Sequence, residues 1–222
     1  MKGLAVDTAI SKITISAKNE EHTVTSIYDI GMHQSETLLP AIQYVLEKAG
    51  LTPTELDYIA ITRGPGSFTG LRLGFSAVKA LQITSKAPLY AFDTLDVYAD
   101  NYTVLSMPVI SCIDAKKDRF YAKGFCNIKI EEGDYTPEEI AAFLNKTESK
   151  DIIICGSDSH LLKESLMQIT DKNLIPVDFI VNTAETLFKM AEKSLQEGAK
   201  PLDDYDGPFY LRASEAEVKL NA

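Results

Sequence analysis
Apolar and polar positions along the chain alternate between two periods, and the switches mark out strands and helices. Leu4-Ala5-Val6, running into Asp7-Thr8-Ala9, reads as a buried strand; Lys12 to Ala17 alternates beside it, and Val24 to Ile30 makes a third strand. Ser35 to Ala49 has the helical period, with Leu38, Leu39, Ile42, Val45 and Leu46 on one face and Gly50 as its stop. Pro40 must then lie in the first turn or two, because deeper in a helix its ring clashes with the preceding turn. Thr52-Pro53-Thr54-Glu55 is a capping box that opens a short helix. Tyr58 to Thr62 is a strand, Arg63 to Gly70 a glycine loop and Leu71 to Thr84 a long helix. Pro88 to Asp93 and Thr94 to Asn101 add a strand and a helix.

The second half repeats that order. Val109 to Ala115 resembles the opening strand with its terminal Asp, Arg119 to Phe125 returns as a hairpin partner, and Asn127 to Ile130 is the candidate third strand. Thr136-Pro137-Glu138-Glu139 caps a helix through Leu144, Asp151 to Cys155 is a strand, His160 to Ile169 a helix, and Asn182 caps a strongly amphipathic last helix. Two copies of β-β-β-α-β-α predict an α/β fold made by internal duplication. The expected subdomains are 1–104 and 105–222, with the last helix or tail returning to the first.

Composition narrows the class. No apolar run among the 222 residues approaches the roughly 20 needed to span a bilayer, and a carboxylate at Asp7 comes too soon for a signal-peptide core. Cys112, Cys126 and Cys155 form no CxxC pair and read as reduced thiols of a cytoplasmic protein. A net charge of −10 repels phosphate backbones, so direct gripping of nucleic acid is not expected. The acidity equally fits a plain solubility role.

Candidate chemistry is sparse. Asp7-Thr8-Ala9 and Ile113-Asp114-Ala115 end strands at hairpins of the kind that approach a phosphate, but Ala9 and Ala115 stand where close backbone approach favours Gly. Asp7 and Asp114 therefore read equally as ligands or as strand ends. The run Arg63-Gly64-Pro65-Gly66-Ser67-Phe68-Thr69-Gly70-Leu71-Arg72-Leu73-Gly74 lies between a strand and a helix, which suits either an anion held at the helix N-terminus or a tight structural turn. It lacks the Gly-Lys-Ser/Thr of a P-loop and the Rossmann spacing. Leu71, Leu73, Gly74, Phe75, Ala77, Val78, Ala80 and Leu81 widen the apolar arc of their helix to about 220°, more than one sheet face needs. Either a protein–protein interface or deep burial accounts for it. His22, His33 and His160 have no metal-site spacing, and no nucleophile elbow occurs.

Taken together, Leu4 to Ala9, His33 with Leu38-Leu39-Pro40, the Arg63–Gly74 run, Ile113-Asp114-Ala115 and Tyr210-Leu211-Arg212 resemble the TsaB (YeaZ) family from end to end. The resemblance implies a duplicated actin-like (ASKHA, ribonuclease H-like) fold. It implies a non-catalytic, cytoplasmic subunit that pairs with TsaD, and with the ATPase TsaE, in N6-threonylcarbamoylation of the adenosine beside the tRNA anticodon. It further implies a dimerisation contact through the Leu38–Leu46 and Leu71–Leu81 helices, so that Leu46→Asp is expected to abolish the complex. Under the same resemblance no metal or cofactor is expected to belong to this chain alone, the complex interface is the place where ATP and Mg²⁺ could sit, and tRNA is expected to be met only through the complex; independently, the same apolar helices could pair with themselves as a homodimer when the partner is absent. Asp7, Thr8, Arg63, Gly64, Gly66, Ser67, Thr69, Gly70 and Asp114 remain as nucleotide or loop-site residues. The competing expectation is a stand-alone ATP-using transferase or peptidase of the actin-like superfamily.

Overall fold
The computed structural model describes residues 1–20, 22–31, 33–177 and 182–212. They form two units, Met1–Thr94 with Asn182–Phe209 and Leu95–Val181 with Tyr210–Ala222.

In the first unit β1 (Gly3–Asp7), β2 (Lys12–Lys18), β3 (Thr23–Asp29), β4 (Tyr58–Gly64) and β5 (Leu89–Asp93) make a sheet of order β3-β2-β1-β4-β5. The first three strands are antiparallel, while β1, β4 and β5 run parallel. Parallel neighbours require crossovers, supplied by α1 (Gln34–Lys48) and α2 (Phe68–Ser85). Both helices cover one face. Leu4, Val6, Ile13, Ile15, Ile59 and Ile61 meet Leu38, Ile42, Val45, Leu46, Phe75 and Val78 there in one core. Pro40 falls in the second turn of α1, and Thr52 caps a single 3₁₀ turn, Pro53–Glu55.

The opposite face is lined by small residues at the alternate positions Gly3, Ala5 and Ala60, which lets the amphipathic α6 (Thr183–Gln196) settle close. Tyr58 anchors it: its ring meets Phe188 edge-on at 6.3 Å and its hydroxyl donates to Glu192 at 2.8 Å. Gly3 has no side chain because a Cβ would lie 2.4 Å from the Tyr58 ring. Burial raises the Glu192 carboxyl, but hydrogen bonds from Lys18 and Tyr58 outweigh it and hold the group below its usual range.

In the second unit β6 (Val109–Asp114), β7 (Phe120–Phe125), β8 (Gly133–Tyr135), β9 (Asp151–Cys155) and β10 (Asn173–Pro176) repeat the order as β10-β9-β6-β7-β8. The helices α4 (Pro137–Leu144) and α5 (Ser159–Leu166) bury Ile140, Leu144, Leu162 and Leu166 against Ile110, Cys112, Ile152 and Ile154. Ala99 and Tyr102 of α3 (Thr94–Thr103) cover Val109, Ile153 and Cys155 on the other face. Both halves thus run β-β-β-α-β-α-β-α with one strand order, the duplicated actin-like α/β fold. The last helix of the first half serves the second sheet, and the last helix of the second half serves the first.

Four expectations change. The third strand of the second half is Gly133–Tyr135 rather than Asn127 to Ile130, because Cys126 and Asn127 turn left-handed (φ 52° and 76°) and tuck Ile128 and Ile130 into the core. β10 appears where the sequence pattern marked no element. α5 stops at Leu166, short of Ile169. The division falls between Thr94 and Leu95 rather than at 104/105. Residues 213–222 of the expected second subdomain lie outside the described residues.

Candidate functional site
The loop after β1 lies directly on the glycine-rich stretch that follows β4. Ser67 N–H donates to the Ala9 carbonyl at 2.6 Å, and Ser67 Oγ caps α2 by accepting from Gly70 N–H at 3.2 Å. The glycines are what permit this approach. A Cβ on Gly66 would stand 2.4 Å from Ala9 O, one on Gly70 2.2 Å from Thr8 O, and one on Gly74 2.3 Å from Thr8 Oγ1. α2 accordingly begins at Phe68, three residues before the sequence pattern suggests.

Asp7 is 1% exposed, and its Oδ1 accepts from Ala9 N–H (3.1 Å) and Thr62 Oγ1 (2.8 Å). Thr8 is fully buried, its hydroxyl without a hydrogen-bond partner. Arg63 pairs with Asp93 through Nε at 2.6 Å, accepts Phe209 N–H on its carbonyl at 2.7 Å, and lies over the Phe209 ring. Gly64 has φ +120°, and a side chain there would meet Phe209 O at 2.2 Å. Its N–H donates to Thr94 Oγ1 at 3.1 Å. Thr69 is exposed on the first turn of α2, next to buried Gly70.

Ser67 N–H and Gly70 N–H have acceptors within the junction, and Asp7 Oδ1 is engaged by Ala9 N–H and Thr62 Oγ1. The hairpin and loop of the first unit form a closely packed junction between β1, β4 and α2.

Asp114 belongs to the second unit. Its carboxylate accepts from Lys116 N–H at 2.7 Å and Lys116 Nζ at 2.6 Å, and its N–H donates to Asp158 at 3.0 Å. The hydrogen bond to Asp114 raises the Lys116 ammonium above its usual value. Tyr210-Leu211-Arg212 ends in a clamp: Arg212 and Arg119 share the Asp134 carboxylate, and Arg212 Nη1 donates to Ala115 O at 2.9 Å. Among the described residues no three His, Cys, Asp or Glu side chains gather to hold a metal ion.

The two helices separate into core and surface. Leu38, Ile42, Val45, Leu46, Leu71, Gly74, Phe75 and Val78 are buried within the first unit, and Leu73 and Leu81 are half-buried. A charge at Leu46 therefore breaks the fold before it reaches any partner. The outward apolar side chains are Leu39 (60% exposed), Tyr44 (48%) and Ile83 (72%), of which sequence reading had named Leu39 for the interface.

Sequence reading assigned no structural or functional role to Gln34, Thr62 or Thr94. Gln34 is buried at the start of α1, and its Nε2 donates to Ile10 O at 2.7 Å. A polar side chain just ahead of an apolar helical run, and threonines at two strand ends, were the available signals; neither distinguishes a buried polar tie from a solvated one.

Over residues 29–220 the chain matches the family model described as "TsaD: tRNA N6-adenosine threonylcarbamoyltransferase". It is 26% identical to the tRNA threonylcarbamoyladenosine biosynthesis protein TsaB of Bacillus subtilis (strain 168), covering 97% of this chain and 96% of that protein. With the protein of the same name from Escherichia coli (strain K12) it shares 26% identity over 99% of this chain and 98% of the other. Among solved structures, YeaZ from Pseudomonas aeruginosa superposes with a TM-score of 0.79 at 22% identity, covering 95% of this chain and 99% of that one, a likeness of fold.

Proposed function
This chain belongs to the TsaD family described by that model and, within it, to its TsaB (YeaZ) members, and from that premise we propose that it is a non-catalytic partner subunit in the biosynthesis of threonylcarbamoyladenosine on tRNA. The observation that carries the reading is the near full-length likeness to two TsaB proteins. TsaD docks on the outer side of α1 and α2, where Leu39, Tyr44 and Ile83 put apolar surface in water. TsaD performs the transfer, TsaE joins the complex, and ATP with Mg²⁺ sits at the complex interface. The closed hairpin–loop junction supports assigning nucleotide to the assembly rather than to this chain alone. A net charge of −10 supports the same assignment for tRNA, which a basic partner would hold. The work is cytoplasmic; among the described residues no helix is long and apolar enough to cross a membrane.

The competing reading, a stand-alone ATP-using transferase or peptidase, makes different demands. It needs turnover by the isolated chain, or tight ATP·Mg binding in calorimetry. The deciding assay mixes the purified chain with TsaD, TsaE, tRNA, ATP and threonylcarbamoyl-adenylate and omits each component in turn. Modification that requires this chain, with no turnover by it alone, is the expected result. Modification that proceeds unchanged without it would overturn the proposal. Leu39→Asp, on the exposed face, should abolish copurification with TsaD while the chain stays folded.

A further inference from the structure
The chain that follows α6 in the first unit holds one aromatic side chain out in water. Pro201 and Pro208 bracket the segment. Leu202 N–H donates to Leu89 O at 2.8 Å and Phe209 N–H to Arg63 O at 2.7 Å, which ties both ends to the sheet. Between them Asp206 N–H donates to Asp203 O at 3.1 Å and Asp203 N–H to Asp206 Oδ2 at 2.9 Å, closing a four-residue turn. Lys79 Nζ of α2 donates to the Asp204 carbonyl at 2.6 Å and to that of Asp203 at 3.3 Å, and Lys200 pairs with the Asp203 carboxylate at 2.6 Å. Tyr205 stands on this turn wholly exposed.

The fold itself has no use for that ring. A side chain in full solvent adds no packing, and asparagine, aspartate or glycine would suit a turn better. The position of the turn is informative. Lys79, which grips it, belongs to a stripe of α2 spaced i, i+4, i+7 and i+11: Arg72, Ser76, Lys79 and Ile83. Ile83, the outward apolar residue of α2, lies one helical turn beyond Lys79. The turn is therefore continuous with the outer α1–α2 surface assigned above to TsaD, on the side of β5.

We propose that Tyr205 is a second anchor for the partner that docks on α1 and α2, entering an apolar pocket of TsaD bordered by lysine or arginine. The inference rests on the assignment of that surface to TsaD. Tyrosine is enriched among the residues that dominate interface energies, because its ring brings a large contact area with only two torsions to fix. Here the prolines and the hydrogen bonds of the turn hold the backbone in place beforehand, so docking orders little that is loose. Asp203, Asp204 and Asp206 decide the sign of the partner. They repel a phosphate backbone and attract cations, which favours a basic protein surface over tRNA.

The test is the affinity of the full chain for immobilised TsaD from the same source, measured by interferometry. Tyr205→Ala should bind about thirtyfold more weakly, the loss typical of a truncated anchor, with its urea midpoint unchanged. Tyr205→Phe keeps the ring and should bind close to wild type. Asp204→Lys should weaken binding at low salt, and the deficit should shrink as salt screens the new repulsion. Leu39→Asp should abolish binding. If Leu39→Asp does so while Tyr205→Ala binds like wild type, the anchor is refuted and the docking surface stands. If wild type itself binds no TsaD, the assignment of the surface fails and the anchor fails with it. A Tyr205→Ala defect that emerges only when TsaE is added would place the pocket on TsaE and overturn the proposal.

Discussion

Gly74→Ala separates helix propensity from tertiary packing. The residue sits inside α2, where alanine is normally better than glycine by about 1 kcal/mol. Here the new Cβ would lie 2.3 Å from Thr8 Oγ1 and 3.2 Å from Ile61 Cδ1, and Thr8 is fully buried at the end of β1. Overpacking of this kind costs about 1–3 kcal/mol, so the net expectation is a loss of about 1 kcal/mol, or about 2–4 °C in Tm for a chain of this size. Thr8→Ala removes the obstacle. It also removes a buried hydroxyl that has no partner, a relief of about 1–3 kcal/mol set against the lost packing of about one methyl. In that background Gly74→Ala should stabilise by its ordinary ~1 kcal/mol. The coupling between the two sites is then about 2 kcal/mol, well above the few tenths expected of independent positions. Urea unfolding of the four proteins with a common m-value measures it. If Gly74→Ala stabilises the wild-type background, or the coupling falls below about 0.5 kcal/mol, the glycine is not there for Thr8 and the account of the junction fails.

Leu46→Asp should yield insoluble or unfolded protein, because it puts an unpaired carboxylate at a buried core position at a cost of several kcal/mol. Leu39→Asp should unfold within about 0.5 kcal/mol of wild type, and a soluble, cooperatively folded Leu46→Asp chain would show the core assignment to be wrong. Burial raises the Asp134 carboxyl, but Arg212 and Arg119 outweigh it and hold it below its usual 3.8. The stability from that pairing is thus full above the ordinary value and is lost as pH falls through the depressed one. Arg212→Ala should cost about 0.5–1 kcal/mol at neutral pH, a partly exposed pair being screened, with the difference in urea midpoint narrowing below about pH 4. A gap that widens in acid would contradict this. Burial pushes the Cys155 thiol up to about 12 and raises that of Cys112 too. At about pH 8 a thiol reagent should therefore label Cys126 alone in the native protein and all three cysteines in urea. Native labelling at Cys155 would be inconsistent with its burial.

Much of the fold was legible because its signals are local. The apolar period of Ser35 to Ala49, the capping boxes at Thr52 and Thr136 and the Asn182 cap each act within a turn or two of chain, and each marks an observed element. The duplication was legible for the same reason, two local orders repeating. Where local signals conflict the reading slipped. Asn127 to Ile130 has the alternation of a strand, yet left-handed Cys126 and Asn127 fold it inward. Short β10 has too few residues to announce itself.

The sequence by itself determined the secondary elements, their repeated order and the unusual glycine content between β4 and α2. Only the tertiary structure decided what those glycines serve, which side of each helix meets water, and which sheet each terminal helix joins. Gly66, Gly70 and Gly74 answer to Ala9 and Thr8, nearly sixty residues or more away in the chain, and no window on the sequence contains both partners. Leu38 and Leu39 are equally apolar, but one is 2% exposed and the other 60%. A wide apolar arc states how much surface wants to leave water, whereas only the placement of the sheet and the neighbouring helix states which part of it is still exposed.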